Sequence, residues 1–368
     1  MEGGPSQGVS RLFLFAPYYM RDNAAELAML LALGLFAFAF YALTAGGRRL
    51  RQRPPWLLRW VVGRWLARGR VPQHVAFIMD GNRRWARDIG REPLKGHRQG
   101  YATMLDVLEH CGEFGVSTAS VYAFSIENFK RSADEVNGLM RLATDKFDEA
   151  CEQKGGLHRN GVRVRVLGDV SLLTPDVRRA VERVQRSTAR NPGATLNICL
   201  AYTSQQEIEA AAQCSVAGVA EGQLIESDIT AGLLGRCMYT DDQPPVDLLV
   251  RTSGETRLSD FMLWQTSHAH LEFTQTLWPD FTWWNLLRIL LRWRGHAPEL
   301  AARLARDATL RAARQREADA ARVGRGAEGG ELEQRLALAE RERGERCEKF
   351  VHEVRARRQA ELVDTTSQ

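Results

Sequence analysis

Five short apolar runs are spaced along the middle of the chain: HVAFIM (74–79), ASVYAF (119–124), VRVRVL (162–167), TLNICLA (195–201) and DLLV (247–250). Runs of this length, rich in Val, Ile, Leu and aromatic residues, read as strands buried on both faces. Helix starts lie between them. Ser132 with Glu135 and Ser204 with Glu207 match the capping box, and Thr174-Pro175 pairs an N-cap with a proline at the first helical position. Strand–helix alternation of this kind predicts an α/β domain with a mainly parallel central sheet flanked by helices. With 368 residues, 44 % of them hydrophobic, the chain can build a substantial core and is not disordered. A net charge of +5 from 50 basic and 45 acidic residues does not argue for nucleic-acid binding. The 6 cysteines are irregularly spaced and form no C-x-x-C pair, which suits free, mostly buried thiols better than a disulfide framework or a zinc site.

Two regions flank that pattern. Residues 24–45 form one apolar run, roughly 33 Å long as a helix, enough to span a bilayer. Arg48, Arg49, Arg51 and Arg53 follow it and only Arg11 and Arg21 precede it, so the positive-inside rule puts the C-terminal side in the cytosol. The expected organisation is an N-terminal segment (1–23), a transmembrane anchor (24–46), a basic-aromatic juxtamembrane helix (47–70), a catalytic domain (71–295) and a charged helical tail (296–368). The tail, interrupted at GRGAEGG (324–330), reads as solvated helix on both sides of a flexible break.

In open parallel sheets ligands sit beyond the carboxyl ends of the strands. Asp80-Gly81-Asn82-Arg83-Arg84-Trp85 follows the first run, and helix-start N–H groups with two guanidiniums favour phosphate. Asp80 suits a hard Mg²⁺ bridging to diphosphate oxygens, or is simply a helix cap. Ser125 to Arg131 follows the second run, and Arg251-Thr252-Ser253-Gly254-Glu255-Thr256-Arg257-Leu258-Ser259-Asp260 follows the last. Three polar, basic loops at strand ends point to a substrate with two phosphate-bearing ends.

HVAFIMDGNRRWAR, GHRQGY (96–101), VYAFSIENFKR (121–131) and LLVRTSGETRLSDFMLWQTSHAHLEF (248–273) resemble, in this order and spacing, the cis-prenyltransferase (undecaprenyl diphosphate synthase) family, especially its eukaryotic dolichol-forming members. The similarity covers about residues 70–295. It implies a transferase that condenses isopentenyl diphosphate onto an allylic diphosphate, with farnesyl diphosphate as starter, Mg²⁺ as cofactor, and a long polyprenyl diphosphate for dolichol as product. By this resemblance Asp80, Asn82, His97, Ser125 and Asn128 are the expected catalytic residues, with Asp80 on the metal. Gly81, Arg83, Arg84, Trp85, Phe124, Glu127, Arg131, Arg251, Arg257 and Ser259 are the expected substrate-binding residues. Trp85 and the first two helices would line a tunnel for the growing chain. Endoplasmic reticulum membrane is the expected location.

The sequence departs from the family at three places. His270 stands where many members have a metal-holding Glu, with Glu272 two residues on; Pro93 stands where many have Arg; and the usual C-terminal Arg-x-Gly has only Arg322-Val323-Gly324 as a counterpart. Heteromeric eukaryotic members take that motif from a second subunit, so a Nogo-B-receptor-like partner is expected. Two other readings are a non-catalytic, membrane-tethering subunit on the same fold and a basic tail that binds RNA, though the tail lacks interleaved aromatics for base stacking.

Overall fold

The computed structural model describes residues 54–151, 161–241, 243–323 and 329–364. The transmembrane run lies outside these residues; among the described ones, no helix is long and apolar enough to cross a membrane. The chain divides into two compact units, Met1–Val62 and Gly63–Gln368. Of the first, the described part is the beginning of helix α1 (Trp56–Ala67).

The second unit is built on a six-stranded sheet in the order β3-β4-β2-β1-β5-β6, with every neighbouring pair parallel. The five expected strands form: β1 (His74–Ile78), β2 (Thr118–Ser125), β3 (Arg163–Leu167), β4 (Thr195–Tyr202) and β5 (Leu248–Arg251). A short edge strand, β6 (His270–Phe273), adds to β5. All five residues of β1 and all four of β5 are buried, as continuous apolar runs covered by helices on both faces should be. The connecting helices are α2 (Asn82–Asp88), α3 (Pro93–Phe114), α4 (Ala133–Cys151), α5 (Pro175–Thr188), α6 (Ser204–Ala220) and α7 (Ala231–Arg236). Two long helices close the chain, α8 (Trp283–Val323) and α9 (Gly330–Asp364).

Pairing between β2 and β4 slips twice near the strand ends, opposite Ala123 and at Ala201, which has φ 50°. Such irregularities bend a strand end and re-aim its side chains, and they favour the rim of a site. Trp278 and Trp283 fill the core. The Trp278 indole donates to the Gly100 carbonyl at 2.8 Å and Thr103 donates to the Pro279 carbonyl at 3.1 Å, tying α3 to the segment after β6.

Three local expectations change. Thr174 and Pro175 open α5 as read. Ser204, however, is already helical: Thr203 is the N-cap, and Glu207 turns into the core instead of back to the helix start. At α4 only half the capping box forms, because the Glu135 N–H bonds Ser132 Oγ at 3.4 Å while its carboxylate is taken by Arg131. The tail is the largest correction. α8 runs unbroken through position 296, and α9 packs on the domain, with Phe350 2 %, Val351 1 % and Val354 5 % exposed in one cluster with Ala211, Leu224, Leu233 and Met238. Its large apolar residues are few, but they fall on one helical face, and that face is enough for docking. Cys111, Cys199, Cys237 and Cys347 are buried, and Cys151 and Cys214 are partly so.

Candidate active site

The chain runs from β1 to β2 on one side of β1 and later returns to place β5 on the other. The order therefore reverses between β1 and β5, and the crevice beyond their carboxyl ends is where open parallel sheets bind ligands. β1 leads into Asp80-Gly81-Asn82. Gly81 has φ 102°, and a Cβ there would stand 2.9 Å from the Leu277 side chain and 3.1 Å from that of Ser253. Only glycine accepts that conformation and that closeness.

Asp80 is not a helix cap. Its carboxylate accepts the Gly81 N–H at 2.7 Å and the Arg251 guanidinium at 2.8 Å, and the side chain stays 39 % exposed. Arg251, by contrast, is buried at the end of β5, and it also donates to Ser259 Oγ at 2.7 Å and to the Arg257 carbonyl. Thr252 locks the two strand ends together, accepting from the Asp80 N–H at 3.0 Å and donating to its carbonyl at 2.8 Å. Arg84 reaches across to the Ser253 carbonyl at 3.1 Å and lies 3.5 Å from Glu255.

A cavity of about 1300 Å³ opens from this crevice. Asp80, Gly81, Asn82, Arg83, Arg84, His97, Phe124, Ser125, Glu127, Asn128, Arg131, Arg251 and Ser259 all border it, so residues as distant in the chain as Asp80 and Arg251, 171 positions apart, and further, converge. Beyond them the lining becomes apolar: Met104 from α3, Met140, Phe147 and Ala150 from α4, and Ile198 and Leu200 from β4. A polar, cationic end joined to an apolar recess is the shape and chemistry of an amphiphile with an anionic head.

Three buried polar atoms of residues at the cavity wall have no protein partner, Asn82 Oδ1, His97 Nε2 and Arg251 Nε. Buried polar atoms left unpaired cost stability and mark positions where a ligand completes the bonding. Burial pushes the His97 pKa down to about 4, helped by the nearby Arg131 and Arg83 charges and opposed by Glu135. The imidazole is therefore neutral near pH 7. Two glycines bring α3 this close: a Cβ at Gly96 would stand 2.1 Å from the Asn82 carbonyl oxygen, and one at Gly100 would stand 2.2 Å from Asn82 Oδ1.

Ser125 and Asn128 brace the loop after β2. The Ser125 N–H donates to Asn128 Oδ1 at 3.1 Å, and the Glu127 N–H donates to Ser125 Oγ at 3.2 Å. Glu127 itself pairs with Lys130. Glu135 holds Arg131 at 2.8 Å and Arg83 at 3.9 Å.

Two expected residues stand apart. Trp85 does not line the cavity; its indole donates to Asp280 at 3.0 Å, because the seven-residue α2 turns it toward the segment after β6. Arg257 also lies off the wall, 65 % exposed and paired with Glu255 at 2.5 Å, and contributes its backbone carbonyl to Arg251. His270 and Glu272 do not border the cavity either; Glu272 is held by Arg292 at 2.6 Å and lies 3.5 Å from His270. His110 packs against Glu113, His268 pairs with Asp307 and His296 stacks on His270, while His158 lies outside the described residues. The sequence reading missed α4 as a wall. Its signal was the helical spacing of Met140, Phe147 and Ala150 on one face.

The chain and its fold resemble those of known proteins. The sequence profile of the prenyltransferase family described as undecaprenyl diphosphate synthase matches residues 78–299. The chain is 47 % identical, over 61 % of its length and 68 % of the relative's, to the human dehydrodolichyl diphosphate synthase complex subunit DHDDS. It is 42 % identical, over 60 % of its length and 84 % of the relative's, to the geranylgeranyl-diphosphate-specific tritrans,polycis-undecaprenyl-diphosphate synthase of Thermococcus kodakarensis. The crystal structure of lavandulyl diphosphate synthase from Lavandula x intermedia with dimethylallyl diphosphate is similar at a TM-score of 0.57 and 31 % identity, covering 61 % of this chain and 95 % of that one.

Proposed function

Since the chain belongs to the undecaprenyl diphosphate synthase family, and is a prenyl transferase that elongates cis-polyprenyl chains for dolichol, we propose that its cavity joins isopentenyl diphosphate to farnesyl diphosphate at the crevice between β1 and β5. One observation carries the reading: Asp80 and Arg251 meet at 2.8 Å where two cationic loops adjoin, at the polar end of an apolar recess.

Gly81, Asn82, Arg83 and Arg84 would hold the allylic diphosphate at the start of α2, where guanidiniums pair with phosphate oxygens. Arg251 and Ser259 would hold the diphosphate of isopentenyl diphosphate, and Arg257, exposed beside them, would swing onto it. The apolar wall of α3, α4 and β4 would take the growing chain. Holding the isopentenyl double bond against the allylic carbon supplies an orientation term worth roughly 7–11 kcal/mol. As the allylic C–O bond breaks and the new C–C bond forms, negative charge grows on the departing diphosphate and the arginines stabilise it; the proton that the adduct then loses, which sets the cis double bond, would leave on that diphosphate. Neutral His97, with a pKa of about 4, is a poor proton store near pH 7. Its work is to hydrogen-bond the leaving diphosphate, whose charge would raise that pKa on binding.

The residues present fit a divalent cation that arrives with its substrate. Asp80, a partly exposed carboxylate, and the unpartnered Asn82 Oδ1 line the same cavity, and both are hard oxygen donors. Among the described residues no cluster of three His, Cys, Asp or Glu offers an all-protein cage, and Mg²⁺ is commonly held by one or two carboxylates plus phosphates. Asp80 would hold it, and when bound it would supply positive charge against the leaving diphosphate.

Residues 24–46 would anchor the enzyme in the endoplasmic reticulum membrane, with the catalytic unit in the cytosol, so that an insoluble product passes straight into lipid. The names of the human and fission-yeast relatives include "complex subunit". Arg322 is in helix α8, 3.9 Å from Asp319, so it is placed as helix surface and not as a loop for diphosphate. A Nogo-B-receptor-like subunit would supply the missing motif. The test is incorporation of radiolabelled isopentenyl diphosphate into polyprenyl product by the chain alone and with that partner. Mg²⁺-dependent product that disappears in Asp80→Ala supports the reading, normal turnover in Asp80→Ala refutes the site, and full activity alone refutes the partner.

A further inference from the structure

Glu207, on α6, is 2 % exposed, and nothing in the reaction proposed above uses it. Donors from three directions converge on its carboxylate: the Tyr202 hydroxyl at 2.6 Å, the Tyr239 N–H at 2.6 Å, and the Gln265 amide at 3.1 and 3.0 Å. Burial raises its pKa, while these bonds and the Arg358 charge pull the other way. So many fixed donors on one buried acceptor make a rigid joint, and the question is what the joint holds.

It holds the turn that carries Ser259. Ser259, Asp260 and Met262 have φ of 50°, 58° and 47°, left-handed values that side-chain-bearing residues rarely adopt. Such a conformation persists only where its surroundings over-determine it. Tyr122 on β2 donates its hydroxyl to the Ser259 carbonyl at 3.3 Å and Thr266 bonds the Met262 carbonyl, and three further fixings come from the start of α6. Ser204 N–H donates to the Asp260 carbonyl at 2.8 Å, Gln205 N–H to Asp260 Oδ1 at 3.1 Å, and Leu263 N–H to Ser204 Oγ at 2.8 Å. The Tyr202 hydroxyl, which bonds Glu207, also lies 3.3 Å from Ser204 Oγ, and Gln265 ties the far end of the turn to Glu207. On the opposite side the turn presents Ser259 Oγ to Arg251 at 2.7 Å.

We propose that Glu207 is a positioning residue for the isopentenyl diphosphate half of the site: its carboxylate, through Gln265, Tyr202 and Ser204, fixes the strained turn 259–262 so that Ser259 stays against Arg251. The allylic half rests on β1, α2 and α3 and meets this network only where Arg251 bonds Asp80. This inference rests on the substrate assignment above.

The test measures initial rates with the full chain in complex with its partner subunit, varying each diphosphate at saturation of the other, in wild type, Glu207→Gln and Gln265→Met. Glu207→Gln keeps the shape but turns one acceptor into a donor facing donors. The expected result in both variants is a KM for isopentenyl diphosphate raised about tenfold, the size of one lost hydrogen bond to a charged group, with the KM for the allylic diphosphate within about twofold. Should Glu207→Gln fail to fold, Gln265→Met decides, since it removes the Gln265 bonds to Glu207 and Thr240 and keeps the volume. Both KM values rising together, or a lowered melting temperature with both KM values intact, would make Glu207 an ordinary polar core residue. A wild type that makes no labelled product would instead overturn the substrate assignment, while an active wild type with unmoved variants overturns only the role of Glu207.

Discussion

The Arg251 guanidinium lies 2.8 Å from the Asp80 carboxylate, and the bond crosses the line where the strand order of the sheet reverses. The arginine is 3 % exposed at its side chain and the aspartate 39 %, so the pair has a buried, fixed half and a half open to the cavity. An incoming cation or diphosphate would therefore meet a carboxylate already oriented, beside an arginine that has little freedom left to lose.

Replacing Asp80 by Asn keeps one of the two oxygens that accept from Gly81 and Arg251, turns the other into a donor and removes the charge. Turnover in Asp80→Asn should fall about 10²- to 10³-fold, the usual loss when a preorganised electrostatic group is removed. Its melting temperature should stay close to wild type. Labelled isopentenyl diphosphate incorporation and a thermal melt check the two parts, and loss of folding in place of loss of rate would contradict it.

His97 should titrate near pH 4 in the free protein, because burial and the Arg131 and Arg83 charges disfavour its cation. A diphosphate bound beside it should raise that value, so diphosphate affinity should increase as the solution is acidified. NMR titration of the imidazole with and without inorganic diphosphate reads the shift. An unshifted resonance titrating near 6.5 in both states would contradict the assignment.

Gly96 and Gly100 make different demands. A methyl at Gly96 meets backbone at 2.1 Å, whereas one at Gly100 meets the Asn82 side-chain oxygen at 2.2 Å. Gly96→Ala should therefore cost stability, about 1–3 kcal/mol as for an overpacked core. Gly100→Ala should mainly displace the Asn82 amide and lower turnover. Denaturant melts and rates on both variants test the contrast, which fails if the two behave alike.

His74 makes stability pH-dependent. It is 1 % exposed, bonded to the Pro244 carbonyl at 2.8 Å and Ser120 Oγ at 2.7 Å, and burial lowers its pKa to about 4 against the opposing pull of the Pro244 carbonyl. Between pH 6.5 and 4 the unfolded chain binds the proton and the native one does not, so stability falls as pH falls through that window. The full loss is about 3 kcal/mol from this group, and His97 acts in the same direction. Urea melts from pH 7 to pH 4 should show the decline, and His74→Gln should flatten part of it.

The docked α9 should behave as core. A Cβ at Gly218 would stand 2.4 Å from the Phe350 ring, which is 2 % exposed. Phe350→Ala should cost about 3–5 kcal/mol. It should also open buried Cys237 and Cys347 to a thiol reagent. Unchanged stability and unchanged labelling would mean that the tail is solvated after all.

Strand identity was legible because it depends on a few adjacent residues: each apolar run of β1 to β5 appears where the sequence puts it. The polar loops were legible for the same reason, since Asp80, Ser125 and Arg251 stand at or within two residues of the carboxyl ends of those strands. β6 was harder to read, with four residues, one of them His and one Glu. Where the Trp85 and Arg257 side chains lie was not legible, because a motif names residue types but not the direction in which a short helix or an exposed loop sends a side chain. Glu207 looked like half of a capping box; that it turns inward depends on Tyr239 and Gln265, 32 and 58 residues later.

By itself the sequence determined the strand and helix periodicity, the polar loops and the family, all written in patterns a few residues to a few tens of residues long. The tertiary structure alone decided that β5 lies beside β1, so that Arg251 reaches a carboxylate 171 residues away, and that the last helix packs instead of trailing in solvent. Sheet order and helix docking are set by how much apolar surface the whole chain can bury at once, and no local pattern carries that sum.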